Sequence, residues 1–138
     1  MNIMNSEHLF LYSDGGYRQS IDKGAWAFII VNSDGGVVKR GSGEMVDSSN
    51  NICEYSGLLN GLKAALHLTN NITCISDSQL MINQMNGSYR VKNGKLKVCK
   101  RRADILCSCF ENIEFIWMPR ETPNIKACDK MCDEILGY

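Results

Sequence analysis

Asp14, Glu54, Asp77 and Asp129 stand at the edges of segments that read as strands or helices, and no two of them are close in sequence. Their settings are Leu-Tyr-Ser-Asp14-Gly-Gly, Asn-Asn-Ile-Cys-Glu54-Tyr, Ile-Ser-Asp77-Ser-Gln and Ala-Cys-Asp129-Lys-Met-Cys. Only a fold that returns separate elements to one edge can bring such residues together. Once gathered, like charges repel and raise each other's pKa unless cations bind among them. Hard divalent ions with oxygen ligands meet that need, magnesium being the usual one beside phosphates. Metal-assisted phosphoryl chemistry is therefore the leading idea from the residues alone.

The order of elements says how convergence could occur. Residues 9–13 predict a first strand that ends at Asp14, where Gly15-Gly16 breaks it. Alternation puts Phe10, Tyr12 and Asp14 on one face and Leu9, Leu11 and Ser13 on the other. Residues 25–31, apolar on both faces, predict a central second strand, and Asp34-Gly35-Gly36 is a hairpin signal into a third over 37–44. Capping residues at 48–51 open a helix over about 51–68, with Leu58, Leu59, Leu62, Ala65 and Leu66 as its buried stripe.

Counting back in fours puts Glu54 on that stripe, where a carboxylate is costly without a partner. An acid in a first helical turn also suits the helix dipole, so spacing leaves both readings open. A fourth strand over 72–76 ends at Asp77, and a short helix begins at Ser78. A basic helix over about 96–110, a last strand over 113–117 and a helix over about 125–136 follow. Cys128, Met131, Cys132 and Ile135 make the apolar stripe of the last helix, with Asp129 beside it. Three antiparallel strands followed by strand-helix units predict an α/β fold: a mixed five-stranded sheet flanked by helices. If the first and fourth strands lie adjacent and parallel, Asp14 and Asp77 sit side by side.

A chain of 138 residues, 44% hydrophobic and 22% charged, is expected to form one domain over 1–138. It has no apolar run of the ~20 residues a membrane span requires. Its first eight residues lack the basic and apolar regions of a secretory leader, so a cytoplasmic protein is expected. The seven cysteines are odd in number and show no paired zinc-ligand spacing. Most lie among Leu, Ile or Met, as reduced core thiols do, with a surface redox pair as the lesser alternative. Net charge is zero, yet Arg90, Lys92, Lys95, Lys97, Lys100, Arg101 and Arg102 cluster with no acid between them. A single-sign patch favours a polyanion such as nucleic acid, although charge runs also serve as solvating surface.

Ser13-Asp14-Gly15-Gly16, Asn50-Asn51-Ile52-Cys53-Glu54, Ser76-Asp77-Ser78-Gln79 and, after Asn124, Cys128-Asp129-Lys130-Met131-Cys132 follow one another in the order and on the elements of a known family. Taken together, the blocks resemble the type 1 RNase H family and its ribonuclease H-like fold over nearly the whole chain. Residues 86–93, Asn-Gly-Ser-Tyr-Arg-Val-Lys-Asn, resemble its compact prokaryotic and archaeal branch, which lacks a basic protrusion helix. The resemblance implies an endonuclease that cuts the RNA strand of an RNA–DNA hybrid and leaves 5′-phosphate and 3′-hydroxyl ends. It implies two Mg2+ ions per site when substrate is bound, with Mn2+ as a substitute, held by Asp14, Glu54, Asp77 and Asp129. Such ions, about 4 Å apart, activate the attacking water and stabilise the leaving oxygen.

Substrate contacts are implied for Asn50, Asn51 and Gln79, whose amides can both donate to and accept from a 2′-hydroxyl or base edge. Gly15 and Gly16 let the backbone approach the RNA strand. Lys92, Lys95 and Arg101 of the basic stretch would grip phosphates, mostly of the DNA strand, and Arg120 would join them from the loop after the last strand. Many relatives carry a His in that loop; here it reads Met118-Pro119-Arg120-Glu121-Thr122-Pro123-Asn124. His8 and His67 lie elsewhere and read as surface groups. Asp133 is the fallback for Asp129. The rival readings are a non-catalytic hybrid-binding module and another nuclease of the superfamily, such as a DNA junction resolvase. A monomer is expected, since the site needs no second chain to complete it.

Overall fold

The computed structural model describes residues 7–138, so the leader expectation rests mostly on residues 1–6, outside the described residues. Strands β1 (His8–Arg18), β2 (Lys23–Val31) and β3 (Val37–Met45) form an antiparallel meander. Strands β4 (Asn71–Ser76) and β5 (Asn112–Trp117) then add in parallel along the free edge of β1. The sheet order is β3-β2-β1-β4-β5, the mixed five-stranded α/β arrangement expected from the element order.

Four helices complete the fold: α1 (Asn50–Ala65), α2 (Gln79–Met85), α3 (Gly94–Cys107) and α4 (Pro123–Leu136). Leu9, Leu11, Phe28, Ile30 and Ile72 face Leu58 and Leu62 of α1 and Leu96 and Cys99 of α3. On the opposite face Ala25, Ala27, Ile29 and Val31 pack against Cys128, Cys132 and Leu136 of α4. Covering both faces explains why β2 carries apolar residues without alternation. Five of the cysteines are buried, Cys107 is partly buried and Cys109 is exposed, and all seven are free thiols. His8 and His67 are both exposed, and the His8 ring also bonds Thr73 Oγ1 at 2.6 Å.

Boundaries of β1, α3 and α4 differ from the sequence reading, and α1 ends at Ala65 rather than near 68. Gly15-Gly16 does not break β1. The strand runs on to Arg18, with Gly15 opposite Trp26 and Gly16 opposite Ala25. A Cβ at Gly15 would stand 2.2 Å from the Cys53 carbonyl carbon, and one at Gly57 would stand 2.6 Å from the Asp14 carbonyl oxygen. The glycines are thus where α1 lies directly on β1. Helix α3 starts at Gly94 because the Asn93 side chain accepts from Lys95 N and Leu96 N, and it ends at Cys107 rather than near 110. Helix α4 starts at Pro123, so Asn124 falls in its first turn.

No helix of the described residues is long and apolar enough to cross a membrane.

Candidate active site

The register of β1 and β4 sets the first pair of acids. Tyr12 is opposite Ile75 in the parallel ladder, so two residues further on each chain bring Asp14 and Asp77 to the same level. Asp77 leaves β4 under restraint: Met118 N donates to Ser76 O at 3.1 Å, and the Trp117 indole N–H donates to the Asp77 carbonyl at 3.0 Å. Glu54 arrives from the first turns of α1, whose start is capped by the Ser49 hydroxyl accepting from Ile52 N. The close approach at Gly15 brings that turn over β1. One oxygen each from Asp14, Glu54 and Asp77 then lies within 4.8 Å of the other two.

Asp129, in the second turn of α4, reaches the same cavity of about 370 Å³. Arg120 donates to its Oδ2 at 3.1 Å across an exposed edge. Of the sequence-predicted residues, Asp14, Gly15, Gly16, Asn50, Glu54, Asp77, Arg120 and Asp129 line this cavity. Asn50 is not the helix cap. Its Oδ1 accepts from Tyr17 N at 2.8 Å, tying the end of β1 to the start of α1 and leaving its Nδ2 hydrogens for another acceptor.

Asn51 and Lys95 are elsewhere, in a neighbouring cavity of about 570 Å³ between the starts of α1 and α3. Gln79 is the exposed first residue of α2, and Lys92 is exposed just before α3. Buried Leu96, Cys99 and Ala103 leave Arg101 on the solvent side of α3, away from the acids.

Several lining residues were not foreseen. Cys132, Asp133 (named only as a fallback) and Leu136 follow Asp129 at three, four and seven positions, so helical spacing alone places them on its face. Tyr17 and Tyr138 carry no such periodic signal. Arg18 gathers the C-terminus by donating to the Leu136 carbonyl at 2.8 Å, with its guanidinium 4.7 Å from the Tyr138 ring centroid.

Electrostatics mark the cluster as unbalanced. Burial, and then the Asp77 charge, push Asp14 up to about 7. Burial and the Asp14 charge push Glu54 well above the usual carboxylate range. Burial also raises Asp77, against the lowering influence of Arg120. Glu54 Oε2 is buried with no hydrogen-bond partner among the described residues. A buried carboxylate oxygen without a donor, facing two further carboxylates, is the donor set a hard divalent cation takes. Asp14, Glu54 and Asp77 therefore fit a metal ion, with Asp129 at the rim.

Known proteins resemble this chain in sequence and fold. A family model described as reverse transcriptase-like matches residues 12–132. Ribonuclease HI of Halobacterium salinarum is 31% identical over 126 residues, covering 91% of this chain and 62% of that one. Its crystal counterpart, RNase H1 from the same archaeon, superposes with a TM-score of 0.87 at 28% identity, over 94% of this chain and 98% of that one. The chain belongs to the type 1 RNase H family.

A bifunctional protein of Mycobacterium tuberculosis is 31% identical over 110 residues, 78% of this chain and 30% of its own length. The chain therefore spans less than two thirds of these curated relatives. The N-terminal RNase H domain of the mycobacterial protein gives a TM-score of 0.89 at 27% identity, over 96% of this chain and 95% of that chain. LC11-RNase H1, solved in complex with an RNA/DNA hybrid, shares the fold with a TM-score of 0.84 at 23% identity, over 94% and 96% of the two chains. Within the family, this chain is an RNase H1-like member with an acidic cluster at Asp14, Glu54 and Asp77.

Proposed function

We propose that the chain, as one catalytic domain over 1–138, hydrolyses the RNA strand of RNA–DNA hybrids and leaves 5′-phosphate and 3′-hydroxyl ends. The observation that carries this reading is the meeting of Asp14, Glu54 and Asp77 oxygens within 4.8 Å, on a cavity that Asp129 also lines. Asp14, Glu54, Asp77 and Asp129 would hold Mg2+, or Mn2+ in its place. When bound, two such ions supply an activated water and a counter-charge for the leaving oxygen.

The remaining work belongs to the chain. Burial and crowding keep the acids short of positive charge, which favours cation uptake as the phosphate arrives. Gly15 and Gly16 line the cavity, and a Cβ at Gly16 would meet Leu136 Cδ1 at 3.6 Å. Asn50 Nδ2 can donate to a 2′-hydroxyl or base-edge acceptor, and further amides are offered by Asn51 in the neighbouring cavity and by Gln79 at the exposed start of α2. Lys92 and Lys95 supply phosphate contacts on the side of the α1 and α3 starts, and Arg101 adds to the field from the outer face of α3. Arg120 sits at the rim, where a phosphate oxygen could compete with Asp129 for its guanidinium. The hybrid held by LC11-RNase H1 supports this substrate class by likeness of fold.

The test is cleavage of 5′-labelled RNA annealed to DNA, with magnesium or manganese and an EDTA control. Single-stranded RNA, RNA duplex, DNA duplex and a four-way DNA junction run alongside. Metal-dependent cuts confined to the hybrid are expected. Tight hybrid binding without cuts under either metal would instead make the chain a binding module, and cuts in the junction would make it a resolvase.

A further inference from the structure

Two cavities follow one another along the groove between α1 and α3. The first, at the helix starts, holds Asn51 and Lys95. The second, of about 390 Å³, lies further along both helices and is lined by Ser56, Asn60 and Lys63 of α1 and by Arg102 and Ile105 of α3. Starts meet starts and later turns meet later turns, so the helices run side by side in the same sense. No acidic residue lines either cavity. The one acid of α3, Asp104, is held by Lys100 at 2.7 Å. With Leu96 buried, helical spacing puts that pair on the flank away from Arg102.

Lys63 and Arg102 are exposed, and among the described residues neither forms an ion pair. Ile105, 62% exposed, adds an apolar lip.

We propose that this groove binds a single nucleic-acid strand continuing beyond the hybrid, with Lys63 and Arg102 on its phosphates. The inference rests on the hybrid reading above and extends it to the flank of the substrate. Charge complementarity argues for a polyanion, because the charged side chains lining the groove are Lys63, Lys95 and Arg102 with no acid among them. Beside them stand amides, hydroxyls and an apolar wall that includes Leu59 and Leu106. Continuity argues for the same molecule. The first cavity shares its α1 turn with Asn50 at the acid site, and the track from Ser49 to Lys63 is roughly 20 Å long at the helical rise. The apolar wall argues for one strand, because unpaired bases expose apolar faces that a duplex keeps stacked inside.

Anisotropy titrations of the Asp77→Asn chain would compare a blunt hybrid with hybrids carrying a short single-stranded DNA extension at either end. An extension at one end is expected to tighten binding by about tenfold. It should also steepen the log K against log salt slope by about 1.4, the value for two phosphates of a single strand. Charge reversal at both Lys63→Glu and Arg102→Glu should remove that gain, and the milder Lys63→Gln with Arg102→Gln should remove most of it. In the active protein, Lys63→Glu alone should cut the blunt hybrid at the unaltered rate, which also reports correct folding.

Equal affinity with and without an extension, or a gain that survives charge reversal, would overturn the proposal. So would an equal gain from a duplex extension, or competition by polyglutamate as effective as that by oligothymidylate. If blunt hybrids are cut but extensions do nothing, only the groove assignment fails. If no hybrid is bound or cut, the hybrid reading fails and takes the groove with it.

Discussion

Where the middle of β1, the end of β4 and the first turns of α1 meet, three carboxylates crowd within 4.8 Å, and burial lifts Asp14 to about 7. Over residues 90–102, seven cations also crowd, but they lie mostly exposed on α3 and the segment before it. Both regions concentrate one sign of charge, and burial is what separates them. In the acid cavity, low-dielectric surroundings turn repulsion into an energetic cost that a bound cation can relieve. On the basic face, water and salt screen the repulsion, so the charge costs little and projects a field outward. Under the proposed function, the first region would serve tight local chemistry and the second long-range, salt-sensitive attraction.

The sharpest way to break that contrast is to remove an acid and ask what is lost. Asp77→Asn should lower kcat on the hybrid by about 10⁴, as loss of one member of a cooperating set does. Hybrid affinity should change by no more than about threefold, since the basic face is untouched. Single-turnover cleavage beside equilibrium binding would read both. Full activity in this variant would sink the metal-assisted mechanism.

A second substitution tests the stored cost directly. The folded-state pKa of Asp14 lies near 7 against an ordinary 3.8, so between those values the folded chain holds a proton that the unfolded chain has released. The stability due to Asp14 is then fully present below its ordinary pKa and is lost as pH rises through about 7. Asp14→Asn escapes that loss. In EDTA it should be more stable than the parent at pH 8, by up to about 4 kcal/mol for the full shift, and nearly equal at pH 4. Magnesium should narrow the pH 8 difference by stabilising the parent more. Urea melts at the two pH values would test this, and a less stable Asn variant at pH 8 would show that the cluster is not strained.

Much of this was legible in the sequence, for identifiable reasons. Strand β2 was readable as a two-faced apolar run, β4 and β5 as short apolar segments closed by Asp77 and Pro119, and the turn into β3 from Asp34-Gly35-Gly36. The four acids were readable from their local settings, such as Ser-Asp14-Gly-Gly and Ser-Asp77-Ser-Gln, although β1 runs on past Asp14 and Asp129 lies a full turn inside α4. Gly15-Gly16 misled because a glycine pair looks like a break, whereas pairing with Trp26 and Ala25 carries the strand through it. Asn50 looked like a cap because Asn favours that position, yet Ser49 takes it and Asn50 turns to Tyr17. Tyr17 and Tyr138 reach the cavity through the extended end of β1 and the Arg18 contacts, which no periodicity announces. The facing of Lys63 and Arg102 is likewise a consequence of how α1 and α3 pack.

The basic face should respond to charge reversal with affinity rather than rate. Lys92→Glu together with Lys95→Glu should weaken hybrid binding by about tenfold at moderate salt and flatten the salt slope by about 2. Their side chains are exposed, so stability should stay within about 0.5 kcal/mol. A fall in saturated kcat comparable to that of Asp77→Asn would erase the division of labour between the two regions.

The smallest effect is expected where an acid already sits on the basic helix. Lys100 Nζ lies 2.7 Å from Asp104 Oδ1 at i,i+4 spacing, with the Asp104 side chain 53% exposed. An exposed helical pair of this kind contributes about 0.3–0.5 kcal/mol, so Asp104→Asn should lower the stability by no more than that. The same change frees Lys100 and removes the only negative charge from α3, so hybrid binding should tighten slightly at low salt and return to the parental value as salt screens the field. The sign is opposite to that at Asp14, where removing a carboxylate stabilises the fold and costs function. If Asp104→Asn instead destabilised the chain by several kcal/mol, the basic face would be as tightly coupled to the core as the acid cavity, and burial would no longer be what distinguishes them.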